Sequence, residues 1–428
     1  MIALFVSVFL LVVLAMGAPL AFAMILAASV GFYIFGGLPF VLGFIGSTTL
    51  TTATTYELLA IPMFILMAEF IIVSRIANDL FDAAAVWVGR IPGGLGVATI
   101  GGGALFGAIS GSSTAAAVTL SATSLPVMID RGYDRRFAGG IVVVTATLDM
   151  LIPPSIALIF FALLADVSVA KLLIGGLVPG VIVALILTGY VMLNAVFRPH
   201  LIPAGSSYSW REKWEATAKT GPIVLLFLMV TASLYAGVVT PTETSALGAF
   251  GALVIALAKR RMTSTEFFMA LQKAARTSCM IGLMLLGSYL FSYFFALTRT
   301  TEFMGNWVLS LGARPYVVLI CLGLIYLLLG TFLDTIATMI LTVPIVLPII
   351  VGIGYDPIWY GIMMVLIAQI GVLTPPTGMN VFIVAKYANM PAHEIFAGVF
   401  PYIFLIIGAM VIFSIWPEII MWLPNTMI

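Results

Sequence analysis

The chain has 428 residues, of which 62% are hydrophobic and only 8% are charged, and its formal net charge is +1. Soluble domains carry roughly 25% charged residues, so the composition excludes a soluble globular protein and indicates an all-α polytopic membrane protein surrounded by membrane lipid. The sequence has no long basic run, which excludes a nucleic acid partner. At roughly 20 residues per span, the chain is long enough for about ten or more crossings.

The N-terminal part consists of apolar runs near 1–17, 18–36 and 56–74, which predict membrane-spanning helices. Glu69 lies within the third run, and we expect it to pair with Arg75 on one helical face. The following residues, 79–91, carry charges at amphipathic spacing and predict a short helix at the membrane boundary.

Residues 93–128 form two short apolar arms around a polar tip, Ser110-Gly111-Ser112-Ser113-Thr114. This pattern predicts a re-entrant helical hairpin, which enters and leaves the membrane on one side. The second arm begins at the tip, so its free N–H groups point there and favour an anion. Close packing through small residues is the alternative interpretation; it accounts for the glycine but not for the hydroxyl groups.

The next apolar run, 138–165, is interrupted by Pro153-Pro154. Two prolines remove two N–H donors and free the carbonyl groups four residues earlier, those of Asp149 and Met150. At membrane depth such backbone is tolerated only where it is buried in protein or lines a cavity. The break therefore predicts oxygen ligands for a hard cation such as Na⁺, unless it is a structural kink satisfied by hydroxyl groups or water.

Both features recur 222 positions later. A second hairpin is predicted over 315–350, with the tip Gly330-Thr331-Phe332-Leu333-Asp334-Thr335. A second broken helix is predicted over 358–386, where Pro375-Pro376 frees the carbonyl groups of Gly371 and Val372. Asp334 either caps the second arm of its hairpin or contacts an ion directly.

Positive charge predicts that the two copies have opposite orientations in the membrane. Arg90, Arg131, Arg135 and Arg136 flank the first hairpin, so it should open to the cytoplasm. Counting spans from there places the second hairpin on the other face. The predicted fold is thus a pair of inverted repeats, each with a re-entrant hairpin and a Pro-Pro-broken helix. Its divisions are N-terminal scaffold helices 1–55, a first repeat 56–197, a loop with scaffold helices and an amphipathic arm 198–276, and a second repeat 277–428.

Enzymatic chemistry finds little support in the sequence. There is no phosphate-binding G-x-x-x-x-G-K segment, and the chain has only two histidines, His200 and His393. A serine hydrolase with Ser110 as the nucleophile remains a remote alternative, because no histidine lies in a plausible partner helix. We therefore expect a transporter rather than an enzyme. A passive channel is a weaker possibility, since inverted broken repeats are typical of alternating access.

The two tips and the two proline breaks, together with Gly132-Tyr133-Asp134, resemble the large membrane subunit of tripartite ATP-independent periplasmic (TRAP) transporters. The resemblance extends over essentially the whole chain. It implies a bacterial inner-membrane protein that imports an organic acid anion, a carboxylate or a sulfonate, together with Na⁺. It further implies an elevator mechanism, a small four-helix membrane subunit as a separate partner, and a periplasmic substrate-binding protein.

The resemblance also implies positions for the ligands. Hairpins and broken helices would form the moving unit and the remaining helices the scaffold, with the substrate between the tips. Substrate contacts are then expected at Ser112, Ser113, Thr114, Asp334, Thr335 and Asn380. One Na⁺ site is expected at Ser110, Asp149, Ile152 and Ser155, and a second at Gly330, Gly371, Thr374 and Thr377.

Asp149 is a departure from the family pattern, which has a small residue at this position, as Gly371 illustrates in the second copy. The extra carboxylate either strengthens the first cation site or turns away to cap a helix end. A self-sufficient sodium/anion symporter that needs no binding protein is the main functional alternative.

Overall fold

The computed structural model describes residues 1–203, 208–310, 312, 314–376 and 378–427, and within these ranges the chain forms helices and no strands. Eight helices in this part of the chain are long and apolar enough to cross a membrane. The predicted class, an all-α polytopic membrane protein, is confirmed. The four helices before the first hairpin are α1 (Ile2–Ala15), α2 (Leu20–Thr54), α3 (Ala60–Val73) and α4 (Ile76–Val88).

The first predicted hairpin and the first predicted broken helix are each present as a pair of helices. Polar residues separate the arms of the hairpin, and the Pro-Pro segment separates the halves of the broken helix. The elements are α5 (Gly94–Ser110), α6 (Ser113–Asp130), α7 (Arg135–Thr147), α8 (Ile156–Ala165) and the long α9 (Val169–Phe197).

The same succession returns in the second half of the chain. After α10 (Trp210–Tyr235), α11 (Pro241–Ala258), α12 (Ser264–Leu297) and α13 (Thr300–Ser310) come the second hairpin, the second broken helix and two final helices. These are α14 (Pro315–Gly330), α15 (Thr335–Gly352), α16 (Pro357–Leu373), α17 (Met379–Ala388), α18 (Ala392–Ile415) and α19 (Glu418–Asn425).

The four hairpin arms have 16 to 18 residues. At 1.5 Å per residue they extend about 24–27 Å, somewhat less than the roughly 30 Å hydrocarbon core. One arm, α15, is nevertheless among the eight helices that are long and apolar enough to span. The re-entrant course of the hairpins therefore stays a prediction.

Two local features differ from the sequence-based expectation. Helix α2 continues beyond the predicted span 18–36: the backbone leaves helical geometry at Gly36 and at Gly37, where φ is 72°, and then forms a further helix up to Thr54. Gly37 allows this positive φ because it has no Cβ. The amphipathic arm predicted at the end of 198–276 is the first part of α12 rather than a separate helix.

Helices α10, α11 and α12 begin with the same capping box. In each, a serine or threonine accepts a hydrogen bond from the third helical N–H, and a glutamate at that position accepts one from the cap residue. The first N–H groups of a helix have no partner within the helix, and the capping box supplies a partner for two of them. These caps fix the start of each helix next to a polar loop.

The helices pack as two groups. The scaffold group comprises α1–α3 and α10–α12, and the hairpin group comprises α5–α9 and α14–α19. Helices α9 and α18, which the sequence analysis assigned to the scaffold, pack instead on the broken helices. Glycines allow this approach: a Cβ at Gly140 would lie 2.5 Å from the carbonyl oxygen of Gly398, between α7 and α18.

Helices α4 and α13 connect the two groups in sequence. The carboxylate of Asp79 on α4 pairs with Lys259 Nζ at 2.6 Å and with Arg261 Nη1 at 2.9 Å, just beyond α11. Trp87 Nε1 donates to the Thr217 hydroxyl on α10 at 2.9 Å. These contacts join α4 to the scaffold group, and α4 also packs closely on α5 of the hairpin group.

The expected pair between Glu69 and Arg75 is wrong. Glu69 is buried on α3 and pairs with Lys273 Nζ of α12 at 2.9 Å. Arg75 lies beyond the end of α3 with a φ of 53°, so it no longer follows the helical face that carries Glu69. The ion pair instead joins two helices of the scaffold group.

Candidate functional site

The two hairpin tips and the two proline breaks enclose one cavity of about 420 Å³. All six side chains predicted to contact a substrate lie in its wall, together with Asp149 and Gly330 from the two predicted ion sites. The predicted residues that line the cavity are Ser112, Ser113, Thr114, Asp149, Gly330, Asp334, Thr335 and Asn380.

The other predicted ion-site residues lie behind this wall. Ser110 and Ser155 are fully buried, Ile152 and Gly371 are buried, and Thr374 is half-buried. Thr377 lies outside the described residues.

The two breaks are partly satisfied by local hydrogen bonds. The Ser155 hydroxyl donates to the Met150 carbonyl oxygen at 2.6 Å, and the Thr374 N–H donates to the Gly371 carbonyl oxygen at 3.0 Å. Two of the four carbonyl groups that were expected to be free, those of Met150 and Gly371, therefore have a hydrogen-bond partner. Each carbonyl oxygen has a second lone pair, so it can still bind a cation.

Each tip lies directly against the break of its own repeat. A Cβ added at Gly107, in α5, would lie 2.8 Å from Asp149 Cβ, and one added at Gly371 would lie 2.7 Å from Gly330 Cα. Such distances leave no room for a side chain. Glycine at these two positions therefore allows the backbone of the tip to contact the backbone of the break.

Each tip also contacts the break of the other repeat. The Thr335 hydroxyl donates to Met150 Sδ at 3.5 Å, and the Thr114 hydroxyl donates to Met379 Sδ at 3.9 Å. The two repeats thus form the cavity jointly, with a crossed pair of contacts.

A further contact joins Thr147 and Gln369. The Gln369 side-chain amide donates to the Thr147 carbonyl oxygen, and both residues are fully buried. The two residues are 222 positions apart, the same separation that relates the two tips and the two proline breaks. Contact between residues at equivalent positions is consistent with a two-fold relation between the breaks, because residues near a two-fold axis meet their own counterparts.

Four helices begin at the cavity: α6, α8, α15 and α17. Three of them are capped by side chains that accept a backbone N–H, from Ser112, Ser155 and Asp334. The capping role considered for Asp334 is confirmed. A helix N-terminus is equivalent to roughly half a positive charge, so the four together amount to about two positive charges and favour an anion.

Four helices end next to the same cavity: α5, α7, α14 and α16. Their last carbonyl groups have no partner within the helix, and helix C-termini attract cations. Because N-termini and C-termini converge from both repeats, one small region provides donors for an anion and acceptors for cations. Broken transporter helices use this arrangement to bind a substrate beside its coupling ions.

Two carboxyl side chains add acceptor oxygens to this region. Asp149 is only 1% exposed, and its Oδ1 has no hydrogen-bond partner. Asp334 supplies a second carboxylate, and no lysine, arginine or histidine is among the described residues of the wall. Both amide atoms of the buried Asn380 also lack a partner. These groups need cations or a hydrogen-bonding ligand to become satisfied.

Sequence reasoning assigned no cavity-lining role to the apolar side chains of the wall. Met150, Phe332, Met379 and Phe382 line the cavity, and nothing in their spacing distinguishes them from lipid-facing residues. The position of Met150 next to Asp149, and of Met379 just beyond the second break, was the one available signal. These side chains give the cavity an apolar surface beside its polar one.

A model of the family described as "Tripartite ATP-independent periplasmic transporter, DctM component" matches residues 7–419. The chain belongs to this family. Membership implies a tripartite system, in which a small membrane subunit and a periplasmic binding protein work with the large permease. The TRAP large permease proteins are inner-membrane transporters and not enzymes, so this chain is a multi-pass inner-membrane transport component. Membership of this transporter family excludes a hydrolytic role for Ser110. The Ser110 hydroxyl instead donates to the Gly107 carbonyl oxygen.

Two TRAP relatives and one solved structure illustrate the similarity. The chain is 32% identical over 376 residues to the C4-dicarboxylate TRAP transporter large permease protein DctM of Pseudomonas aeruginosa, with 87% of each chain covered. It is 28% identical over 374 residues to the sialic acid TRAP transporter large permease protein SiaM of Vibrio cholerae, with 86% of each covered. The YdaH transporter of Alcanivorax borkumensis superposes with a TM-score of 0.62 at 14% identity, covering 88% of this chain and 89% of that one, which shows a shared fold.

Proposed function

We propose that this TRAP large permease imports an organic acid anion, a carboxylate or a sulfonate, driven by at least two Na⁺ ions per substrate. The observation that carries the proposal is the convergence of four helix N-termini and four helix C-termini on one cavity. The relatives that transport C4-dicarboxylates and sialic acid support the substrate class.

Charge explains why cations should accompany the substrate. An anion entering a cavity that already holds Asp149 and Asp334 meets two carboxylates and no basic side chain in the described wall. Inward movement of the anion also opposes an inside-negative potential by about 2.3 kcal/mol per charge per 100 mV. Two Na⁺ ions with a monoanion reverse the sign, so that both the potential and the sodium gradient drive import.

The first Na⁺ site of this proposal lies between the first tip and the first break. It uses the backbone around Ser110, Ile152 and Ser155 and the free Oδ1 of Asp149. Close packing of Gly107 on Asp149 supports it, because this contact brings the end of α5 to the carboxylate. The extra carboxylate strengthens this site relative to its counterpart.

The second Na⁺ site lies between Gly330 and the backbone around Gly371 and Thr374. Direct contact of Gly330 with Gly371 supports it, since the end of α14 and the end of α16 meet there. This site has no carboxylate equivalent to Asp149, so we expect it to bind Na⁺ more weakly.

We propose that the hairpin group moves as an elevator against the scaffold group, with the two repeats in opposite orientations. Few polar contacts cross between the groups; two of them are the bonds from Tyr289 to the Leu163 carbonyl oxygen and from Ser288 to the Ile340 carbonyl oxygen. Helices α4 and α13, which connect the groups, would act as flexible arms. A periplasmic binding protein would deliver the substrate, and a small four-helix membrane subunit would complete the scaffold.

The test is uptake of labelled organic acids into proteoliposomes that contain this chain with its small subunit. Uptake that needs both an inward Na⁺ gradient and the binding protein supports the proposal. Sodium-driven uptake without the binding protein would instead identify a self-sufficient symporter. Uptake that proceeds equally with choline in place of Na⁺ would refute sodium coupling.

A further inference from the structure

A second polar cavity, of about 770 Å³, lies between the two groups of helices and away from the hairpin tips. One wall comes from the scaffold group: the end of α2, the segment up to α3 and parts of α11 and α12. The facing wall comes from the hairpin group, from the end of α8 to the start of α9. We call it the interface cavity.

Threonines of α2 line this cavity at helical spacing, at positions 48, 51, 52 and 55. A threonine in a membrane helix usually bonds back to the carbonyl oxygen four residues earlier. Thr51 and Thr55 do so, each at 2.9 Å. Thr48 and Thr52 are 3% and 7% exposed, and neither hydroxyl has a hydrogen-bond partner.

The two unpartnered hydroxyl groups lie on one face of α2, because residues four apart are neighbours on a helix. Burying a hydroxyl group without a partner is unfavourable, because the group loses its hydrogen bonds to water. Two such groups facing one cavity indicate an occupant that supplies the missing partner. If Thr48 and Thr52 had only a structural role, we would expect their hydroxyl groups to bond to the helix backbone, as those of Thr51 and Thr55 do.

Charge identifies the class of occupant. Glu57 and Asp166 line the cavity from opposite walls, and both act electrostatically on the Tyr289 hydroxyl, which also lines it. No lysine, arginine or histidine is present among the described lining residues. An organic anion is therefore disfavoured, whereas hydroxyl and carboxylate oxygens are the ligands that hard cations prefer.

We propose that the interface cavity binds one Na⁺ through the hydroxyl groups of Thr48 and Thr52, with Glu57 and Asp166 neutralising its charge. The identity of the ion rests on the proposed sodium coupling; the existence of the site rests on the cavity. This Na⁺ is separate from the two ions between the tips and breaks.

The position of the site gives it a conformational role. Its ligands belong to both groups of helices, and Tyr289 joins them by donating to the Leu163 carbonyl oxygen at 2.9 Å. Movement of one group along the other separates Asp166 from Thr48 and Thr52. A ligand that binds one arrangement better shifts the population toward it, so Na⁺ here favours the arrangement seen in this structure.

The direct test counts bound ions. Equilibrium binding of ²²Na⁺ is measured on the full chain with its small subunit, for the unmodified protein and for the double variant Thr48→Val/Thr52→Val. Valine keeps the shape of threonine and removes the hydroxyl. We expect the double variant to bind about one Na⁺ fewer per chain at saturation.

Thr54→Val is the matched control, because Thr54 is on the same helix, is exposed and bonds to the Leu50 carbonyl oxygen at 2.9 Å. It should bind as many ions as the unmodified protein. Equal ion counts in the double variant and in this control would overturn the proposal.

If the double variant fails to fold, Glu57→Gln/Asp166→Asn provides the same test at two exposed positions. Its ²²Na⁺ count should also fall by about one, and an unchanged count would overturn the proposal. Displacement of the extra ion by K⁺ as effectively as by Na⁺ would overturn the assignment to Na⁺.

The proposed function is judged by a different readout. Sodium-independent uptake by the unmodified protein would refute sodium-coupled transport, whereas the interface cavity is judged by the ion count alone.

Discussion

Gly371→Ala tests whether backbone contact between tip and break forms the second Na⁺ site. The added Cβ would lie 2.7 Å from Gly330 Cα, 2.9 Å from its carbonyl carbon and 3.3 Å from its oxygen. Carbon atoms pack at about 3.5–4.0 Å, so α14 must retreat from the break by about 1 Å. The obstructing atoms are backbone, which cannot turn aside as a flexible side chain would.

The expected penalty follows from overpacking, which costs about 1–3 kcal/mol. If this strain falls on the ion-bound arrangement, it corresponds to a roughly 5- to 150-fold loss of affinity. We therefore expect the Na⁺ concentration for half-maximal uptake to rise by about tenfold or more. The purified protein should keep its fold, with a melting temperature lowered by a few degrees at most in the absence of Na⁺.

The assay is uptake into proteoliposomes at increasing Na⁺ and constant membrane potential. Gly323→Ala is the matched control on α14, the helix that the Gly371 Cβ would meet, because a Cβ at Gly323 would contact only Ile367 Cδ1 at 3.7 Å. Wild-type sodium dependence of Gly371→Ala, or equal impairment of both variants, would refute the reasoning.

Three further substitutions test other parts of the site and fold. Asp149→Asn removes the charge from the first site while keeping its size, so half-maximal Na⁺ for uptake should rise roughly tenfold through weaker electrostatic attraction; an unchanged sodium titration would show that Asp149 is not a ligand. Asp334→Ser keeps an N-cap, whereas Asp334→Ala loses about 1 kcal/mol of capping energy. Both variants should therefore lose uptake, but only the alanine variant should melt at a lower temperature. Full uptake by the serine variant would show that Asp334 acts only as a helix cap. Lys273→Met leaves the buried carboxylate of Glu69 without its partner and should destabilise the protein by about 1–3 kcal/mol in a thermal melt. Lys273→Arg should not destabilise it. Equal melting temperatures of the two variants would contradict a stabilising ion pair.

The hairpins and breaks were predictable because their signals are local. Two adjacent prolines inside an apolar run interrupt the helix, and helices indeed end at Thr147 and Leu373. The polar tips at 110–114 and 330–335 likewise end one arm and start another. The repetition at a fixed separation then placed both features in one site.

The remaining features depend on contacts between distant segments. The second part of α2 was not predicted from the sequence, because Pro39 and the two glycines before it indicate the end of a helix. In the structure the helix resumes after one irregular turn. The bond from Ser155 to Met150 and the pair between Glu69 and Lys273 depend on which groups folding brings together. Sequence spacing cannot rank such partners when several lie within reach.

The bond between Gln369 and Thr147 is one of the contacts that make the two halves of the protein interdependent. Equivalent positions of the two halves can carry different residues, as Asp149 and Gly371 show. The contact between Gln369 and Thr147 instead joins the two breaks directly, because the amide group of one bonds the carbonyl oxygen of the other. Displacement of either break is transmitted to the other through this bond.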